Sequence, residues 1–183
     1  MTDLLDRLNR EHKALTRVLD LFDDLLDQFH EGGAPDYELM CEMLEFMESY
    51  SDQVHHPSEE DIFDRLRARS NEVYPMLDLL TKQHVQIGQM NKRFRQSLEG
   101  IVYEEVLRRD EVEIQGRELV KTLREHLSME EAEAFPLARE RLSAGDWEEL
   151  VLQIPGDENS LFGDMDQERF RSLFQQLAEQ SQP

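Results

Sequence analysis

The sequence predicts an all-α fold, an up-down-up-down four-helix bundle followed by a C-terminal helical extension. Three observations predict it. Apolar residues recur at steps of three and four over four long segments. Short links separate these segments, as antiparallel neighbours require. Strand signals are absent. The expected organisation is a bundle over residues 1–143 and an extension with a short amphipathic helix over 144–183.

The first segment, residues 2–30, carries Leu5, Leu8, His12, Leu15, Leu19, Phe22 and Leu26 on one face. Thr2 or Asp3 supplies an N-cap, and Gly32, Gly33 and Pro35 stop the helix. The second, about 36–69, opens with Asp36 as a cap and runs through Met40, Met43, Leu44, Met47, Val54, Ile62 and Leu66. Pro57 interrupts it, removes a hydrogen bond to the Gln53 carbonyl and predicts a kink. The third begins near Pro75 and runs to about 99, with Leu77, Leu80, His84, Ile87 and Phe94 on a face and Gly100 just past its end. The fourth, about 102–143, aligns Val112, Leu119, Leu123, His126, Glu130, Ala134 and Leu137. Asp146-Trp147 reads as the cap and start of a short helix, and residues 154–159 as loop. Residues 166–179 form a last amphipathic helix whose Phe170, Leu173, Phe174 and Leu177 need a partner surface. Packing across the bundle is the first expectation for that face, and a homodimer contact the second.

At 183 residues the chain suits one domain with a substantial core. Its net charge of −21 argues against nucleic acid and anionic membrane as partners, because both are bound through Lys and Arg on phosphate. No apolar run approaches a membrane span and the start lacks a signal-peptide layout, so the expected location is cytoplasmic. The single cysteine, Cys41, excludes an intramolecular disulfide and any multi-cysteine metal site. A metal here is held by nitrogen and oxygen.

One arrangement occurs twice. A lone histidine on one segment precedes a His-x-x-x-Glu on the next: His12 with His55 and Glu59, then His84 with His126 and Glu130. The copies lie 71 to 72 residues apart, and the chain has only six histidines. On a helix, residues i and i+4 share a face, so each His-x-x-x-Glu offers an imidazole and a carboxylate to one centre. Burying Glu59 and Glu130 unpaired would cost several kcal/mol each, and no Lys or Arg in the stripes neutralises them. A metal pair does so directly. Imidazole and carboxylate without thiolate suit iron, manganese or zinc, and bridging carboxylates favour two redox-active ions over one structural zinc.

The doublets His55-His56 and Glu59-Glu60 leave a choice. Relative to Ile62, Phe63 and Leu66, Glu59 falls roughly 15° and His55 roughly 30° from the buried direction, against about 75° for His56 and over roughly 100° for Glu60. The internal repeat selects His55 and Glu59 as well. Pro57 can shift this phase, so His56 with Glu60 stays as the alternative. His30, at a helix C-terminus, reads as a surface capping residue. The methionines read as core filler.

With lone histidines on helices one and three and His-x-x-x-Glu on helices two and four, residues 3 to 142 resemble the hemerythrin HHE cation-binding family. Glu130-Glu131 and Phe135-Pro136 after His126 carry part of that resemblance, and Leu161-Phe162-Gly163 resembles the C-terminal extension of bacterial members. The resemblance implies a non-haem di-iron centre bridged by Glu59 and Glu130, with His12, His55, His84 and His126 as terminal ligands. It also implies a small ligand such as dioxygen, nitric oxide or peroxide. Gly88 departs from the oxygen-carrying pattern, which has a histidine there, four residues after His84. That departure leaves an open position or recruits Glu60, Glu131 or water, and it brings a peroxidase or nitric oxide reductase activity into consideration beside oxygen binding. The rival of another class is a metal-free interaction module.

Overall fold

The computed structural model describes residues 3–69, 74–103, 108–154 and 169–179. Helix α1 spans Asp3–His30 and ends where Gly32 adopts a φ of +88°, a conformation that side-chain-bearing residues rarely take. Helix α2, Tyr37–Tyr50, starts on Asp36, whose carboxylate accepts the Leu39 N–H at 2.9 Å. It continues through a wide turn, Ser51–His55, into α3, His56–Arg69. Helix α4 is Pro75–Val102, with proline in the first turn where its missing N–H is harmless. Helix α5, Arg109–Met129, passes through a second wide turn, Glu130–Ala134, into α6, Phe135–Arg141. Helices α7, Ala144–Gln153, and α8, Arg171–Glu179, follow. No strand occurs among the described residues.

Both wide turns have the same local cause. Proline lacks an N–H, and its ring crowds the carbonyl four residues back, which is Gln53 for Pro57 and Ala132 for Pro136. The helix relieves this by bonding one residue further: the His56 N–H donates to Ser51 O, and the Phe135 N–H to Glu130 O. The kink expected at Pro57 is thus realised as a π turn, and each such turn adjoins a His-x-x-x-Glu pair.

Packing confirms the antiparallel order. Leu4, Leu5 and Leu8 from the start of α1 pack with Ile62, Phe63 and Leu66, with Leu77 and Leu80, and with Ala134 and Phe135. At the other end, Leu15 to Phe29 pack with Met40 to Met47, Ile87 to Leu98 and Val112 to Leu127. Gly116 brings α5 close to its neighbours: a Cβ there would lie 2.6 Å from Leu26 Cδ2 and 2.7 Å from Phe94 Cζ.

Three local expectations change. Gly100 does not end α4; it is buried inside the helix, which runs on to Val102. The fourth bundle helix starts at Arg109, later than expected. Ser143, not Asp146, is the cap of α7: its hydroxyl accepts the Asp146 N–H while Asp146 accepts from the Ser143 backbone, a reciprocal box. Asp146 also takes Arg65 and Arg69, so burial, which would raise its carboxyl, is overcome by Ser143 and Arg69, and it lies well below the usual range. The last helix packs its apolar face on the bundle, the first expectation for it. Phe170, Leu173 and Leu177 join the core, with Phe46 edge-on to Phe170 at 5.3 Å and to Phe174 at 5.9 Å. Thr2, the Leu161-Phe162-Gly163 motif and residues 166–168 fall outside the described residues.

Candidate metal centre

The two apolar clusters are separate because a polar layer divides them. On α1, His12 stands between Leu8 and Leu15; on α4, His84 stands between Leu80 and Ile87. His55, His56 and Glu59 interrupt the second bundle helix between Tyr50 and Ile62, and His126 and Glu130 interrupt the fourth. All seven side chains are buried. The structure brings together His12, His55, Glu59, His84, His126 and Glu130, and it adds His56.

Their atoms converge in an ordered way. Glu59 Oε1 lies 3.1 Å from His12 Nε2 and 3.2 Å from His55 Nε2, while Oε2 lies 3.5 Å from His84 Nε2. Glu130 Oε2 lies 3.5 Å from His12 Nε2, and Oε1 lies 3.4 Å from His84 Nε2 and 3.2 Å from His126 Nε2. Each carboxylate therefore spans a His12–His55 side and a His84–His126 side. Donor atoms of His12, His55 and Glu59 lie within 4.8 Å of one another, as do those of His56, Glu59, His84 and His126, and Glu59 belongs to both groups. The Nε2 atoms of His55, His84 and His126, Glu59 Oε2 and both Glu130 oxygens are buried with no hydrogen-bond partner. So many inward, unsatisfied atoms at one place fit a multivalent cation.

What keeps Nε2 inward is a ring of oxygen acceptors around the layer. Glu11 on α1 faces His55 Nδ1 at 2.8 Å, and Glu60 on α3 faces His84 Nδ1 at 2.7 Å. Gln83 on α4 faces His126 Nδ1 at 3.1 Å, and Glu131, after α5, faces His12 Nδ1 at 3.1 Å. Each bundle helix orients the histidine of the next, and the circuit closes on α1. An outer acceptor on Nδ1 fixes the tautomer and ring angle that a ligating Nε2 needs. Arg7, one turn before Glu11 and 3.5 Å from it, faces this outer carboxylate, in keeping with the absence of a cation from the inner stripes.

Electrostatics in the layer are lopsided. Burial opposes charge on His55, but Glu59 and Glu11 outweigh it and raise its pKa to about 10. Burial opposes charge on His84 too, and Glu130, Glu59 and Glu60 raise it to about 11. Burial and the His84 charge push His126 down to about 2. Burial and the neighbouring Glu59 push Glu130 up to about 7, whereas His55, His12 and His84 overcome burial and hold Glu59 well below the usual range. Protons thus neutralise the carboxylates, the task a cation performs in a metal site.

Two sequence-based choices meet different outcomes. Glu60 is not aimed at the centre with Glu59; it bonds His84 Nδ1 and Thr81. His56, roughly a quarter turn off under uniform α-helical phase, is buried against His84 with ring centroids 4.3 Å apart. The π turn before it advances side chains by less per residue, which draws both histidines of the doublet inward. The outer ring was not read from the sequence. Its one signal is adjacency: Glu11, Glu60, Gln83 and Glu131 each sit beside a candidate ligand in the chain, yet serve one on another helix. His30 is exposed and pairs with Glu113 at 2.9 Å.

Fold and layer together define a helical-bundle protein with a buried histidine and carboxylate cluster suited to cations. The model of the hemerythrin HHE cation binding domain matches residues 3–138, and the chain belongs to that family. No curated protein and no solved structure matches it. Among the described residues, no helix is long and apolar enough to cross a membrane.

Proposed function

We propose that this chain is a dinuclear metal protein, holding two iron ions, that binds dioxygen or a related small molecule such as nitric oxide or peroxide. The observation that carries the reading is the bridging geometry: Glu59 and Glu130 each present one oxygen to the His12–His55 side and the other to the His84–His126 side. A single ion would leave half of these buried atoms unsatisfied. Nitrogen and oxygen donors with paired carboxylates favour iron, with manganese and zinc as the competing ions. A pair of iron ions supplies adjacent redox-active centres with positions open to a small ligand.

The protein's own contribution is orientation and exclusion of water. The outer ring holds four Nε2 atoms inward, and apolar layers close the site above and below, including Phe135 against the His12 ring at 5.2 Å. Metal analysis of protein from iron-supplemented cells tests the reading. About two iron atoms per chain, with a reversible visible spectrum on cycling reduced protein between nitrogen and air, support binding of oxygen. Irreversible spectral change with consumption of peroxide would support the oxidoreductase alternative. Metal content near zero would overturn both.

A further inference from the structure

We propose that His56 is a ligand on the His84–His126 side, in the coordination place that a histidine at position 88 would occupy. The inference rests on the two-ion reading above and goes beyond it, because the internal repeat assigns His56 no part and the sequence alternative set it with Glu60 in place of His55 and Glu59, not beside them.

Three observations carry it. First, a ring nitrogen of His56 lies within 4.8 Å of donor atoms of Glu59, His84 and His126, the geometry of ligands around a common ion. Its ring stacks on His84 at 4.3 Å with planes 16° apart, and stands edge-on to His126 at 5.7 Å. Second, the π turn ending at His55 lets adjacent residues serve opposite sides of the carboxylates: His55 groups with His12, and His56 with His84 and His126. Third, Gly88, one turn beyond His84, borders an open cleft of about 780 Å³ that His56 and His84 also line. Positions 84 and 88 share a helix face at i and i+4, and His56 lines the same cleft from α3.

With His56 the two sides differ. Three imidazoles and two carboxylate oxygens face one ion, and two imidazoles and two oxygens face the other. The less filled side, at His12 and His55, is then where an added small ligand finds open positions.

The competing role for His56 is packing against His84, and phenylalanine separates the two. His56→Phe keeps an aromatic ring on His84 and removes the donor nitrogen. Metal-free protein is titrated anaerobically with ferrous iron, desalted, and the retained iron counted. Wild type is expected to keep two ions. His56→Phe and His56→Ala are expected to keep one, with the other bound at least about tenfold more weakly. Adding Gly88→His to His56→Ala is expected to restore the second ion. Two ions held by His56→Phe at wild-type affinity would overturn the inference and leave the two-ion reading standing. Loss in both His56 variants without rescue by Gly88→His would overturn the shared coordination place. A wild-type protein that keeps no iron would instead overturn the proposed function. Circular dichroism melting of each metal-free variant identifies loss caused by unfolding.

Discussion

Glu11→Ala isolates the outer ring from the proposed ligands. Glu11 Oε2 lies 2.8 Å from His55 Nδ1, and its side chain is only 6% exposed, so water does not replace it readily. Removing it strands a buried N–H and frees the His55 ring to turn. A hydrogen bond to a charged group contributes about 1.5–3 kcal/mol when buried. Loss of a group that orients a metal-bound histidine weakens metal binding about 10- to 100-fold, or roughly 1.4–2.7 kcal/mol. The two routes agree. Glu131 provides the contrast, since its side chain is 48% exposed while making the same kind of bond to His12 at 3.1 Å. Water can take its place, so Glu131→Ala should cost under about 1 kcal/mol, less than roughly fivefold in affinity. Anaerobic competition between protein and a coloured ferrous chelator measures both. Equal affinities for the two variants, within twofold, would refute the claim that buried outer acceptors hold the ligating rings. Thermal unfolding of the metal-free proteins separates this from a loss of stability through Arg7, which lies 3.5 Å from Glu11.

His126→Ala and Glu130→Ala should each weaken iron binding at least about tenfold and so lower the iron retained, whereas His30→Ala, exposed and paired with Glu113, should leave it unchanged. Elemental analysis decides, and equal loss in all three would mean that general destabilisation was being measured. Because His55 and His84 are held charged up to about 10 and 11, loading at pH 7 should release about two protons, plus a fraction from Glu130 at about 7. Affinity should therefore rise from pH 6 to 9, and calorimetry in buffers of different ionisation enthalpy counts the protons; a pH-independent affinity contradicts this. In the metal-free chain the raised pKa values have the matching consequence: the His55 contribution to stability is fully present below about 6.5 and is lost as pH rises through about 10. Ser143→Ala should cost about 1 kcal/mol by removing the cap of α7, and Asp146→Ala more, since Asp146 also bonds Arg69 and Arg65, of which Arg65 keeps Glu149. Denaturant melts read both, and the Asp146 contribution should fade below about pH 4 because its carboxyl is held low. Gly116→Leu should destabilise by about 3 kcal/mol, since even a Cβ meets Leu26 and Phe94 inside van der Waals distance.

Much of this arrangement was legible because it depends on periodicity. The stripes of α1 and α4 could be read directly, with His12 and His84 each replacing one apolar residue between leucines or isoleucine. The spacing of His55 to Glu59 and His126 to Glu130 survived for the same reason, since i and i+4 stay on a shared face even beside a widened turn. His56 was misplaced because a uniform phase was carried past Pro57, and the turn at Ser51–His55 breaks that uniformity. Gly100 and the start of α5 were misread because a glycine signals an end only where packing does not bury it. The outer ring was illegible for a deeper reason. Glu11, Glu60, Gln83 and Glu131 act across helices, and which surface residue meets which ring depends on interhelical packing that a linear pattern does not carry.

In the proposed function two ions share one cavity, bridged by Glu59 and Glu130. An anomalous-scattering map of iron-loaded crystals tests it most directly. Two iron peaks are expected about 3.5–4 Å apart between the two carboxylates, one beside His12 and His55 and the other beside His84 and His126. One peak in the layer, or iron only on the acidic surface, would contradict it.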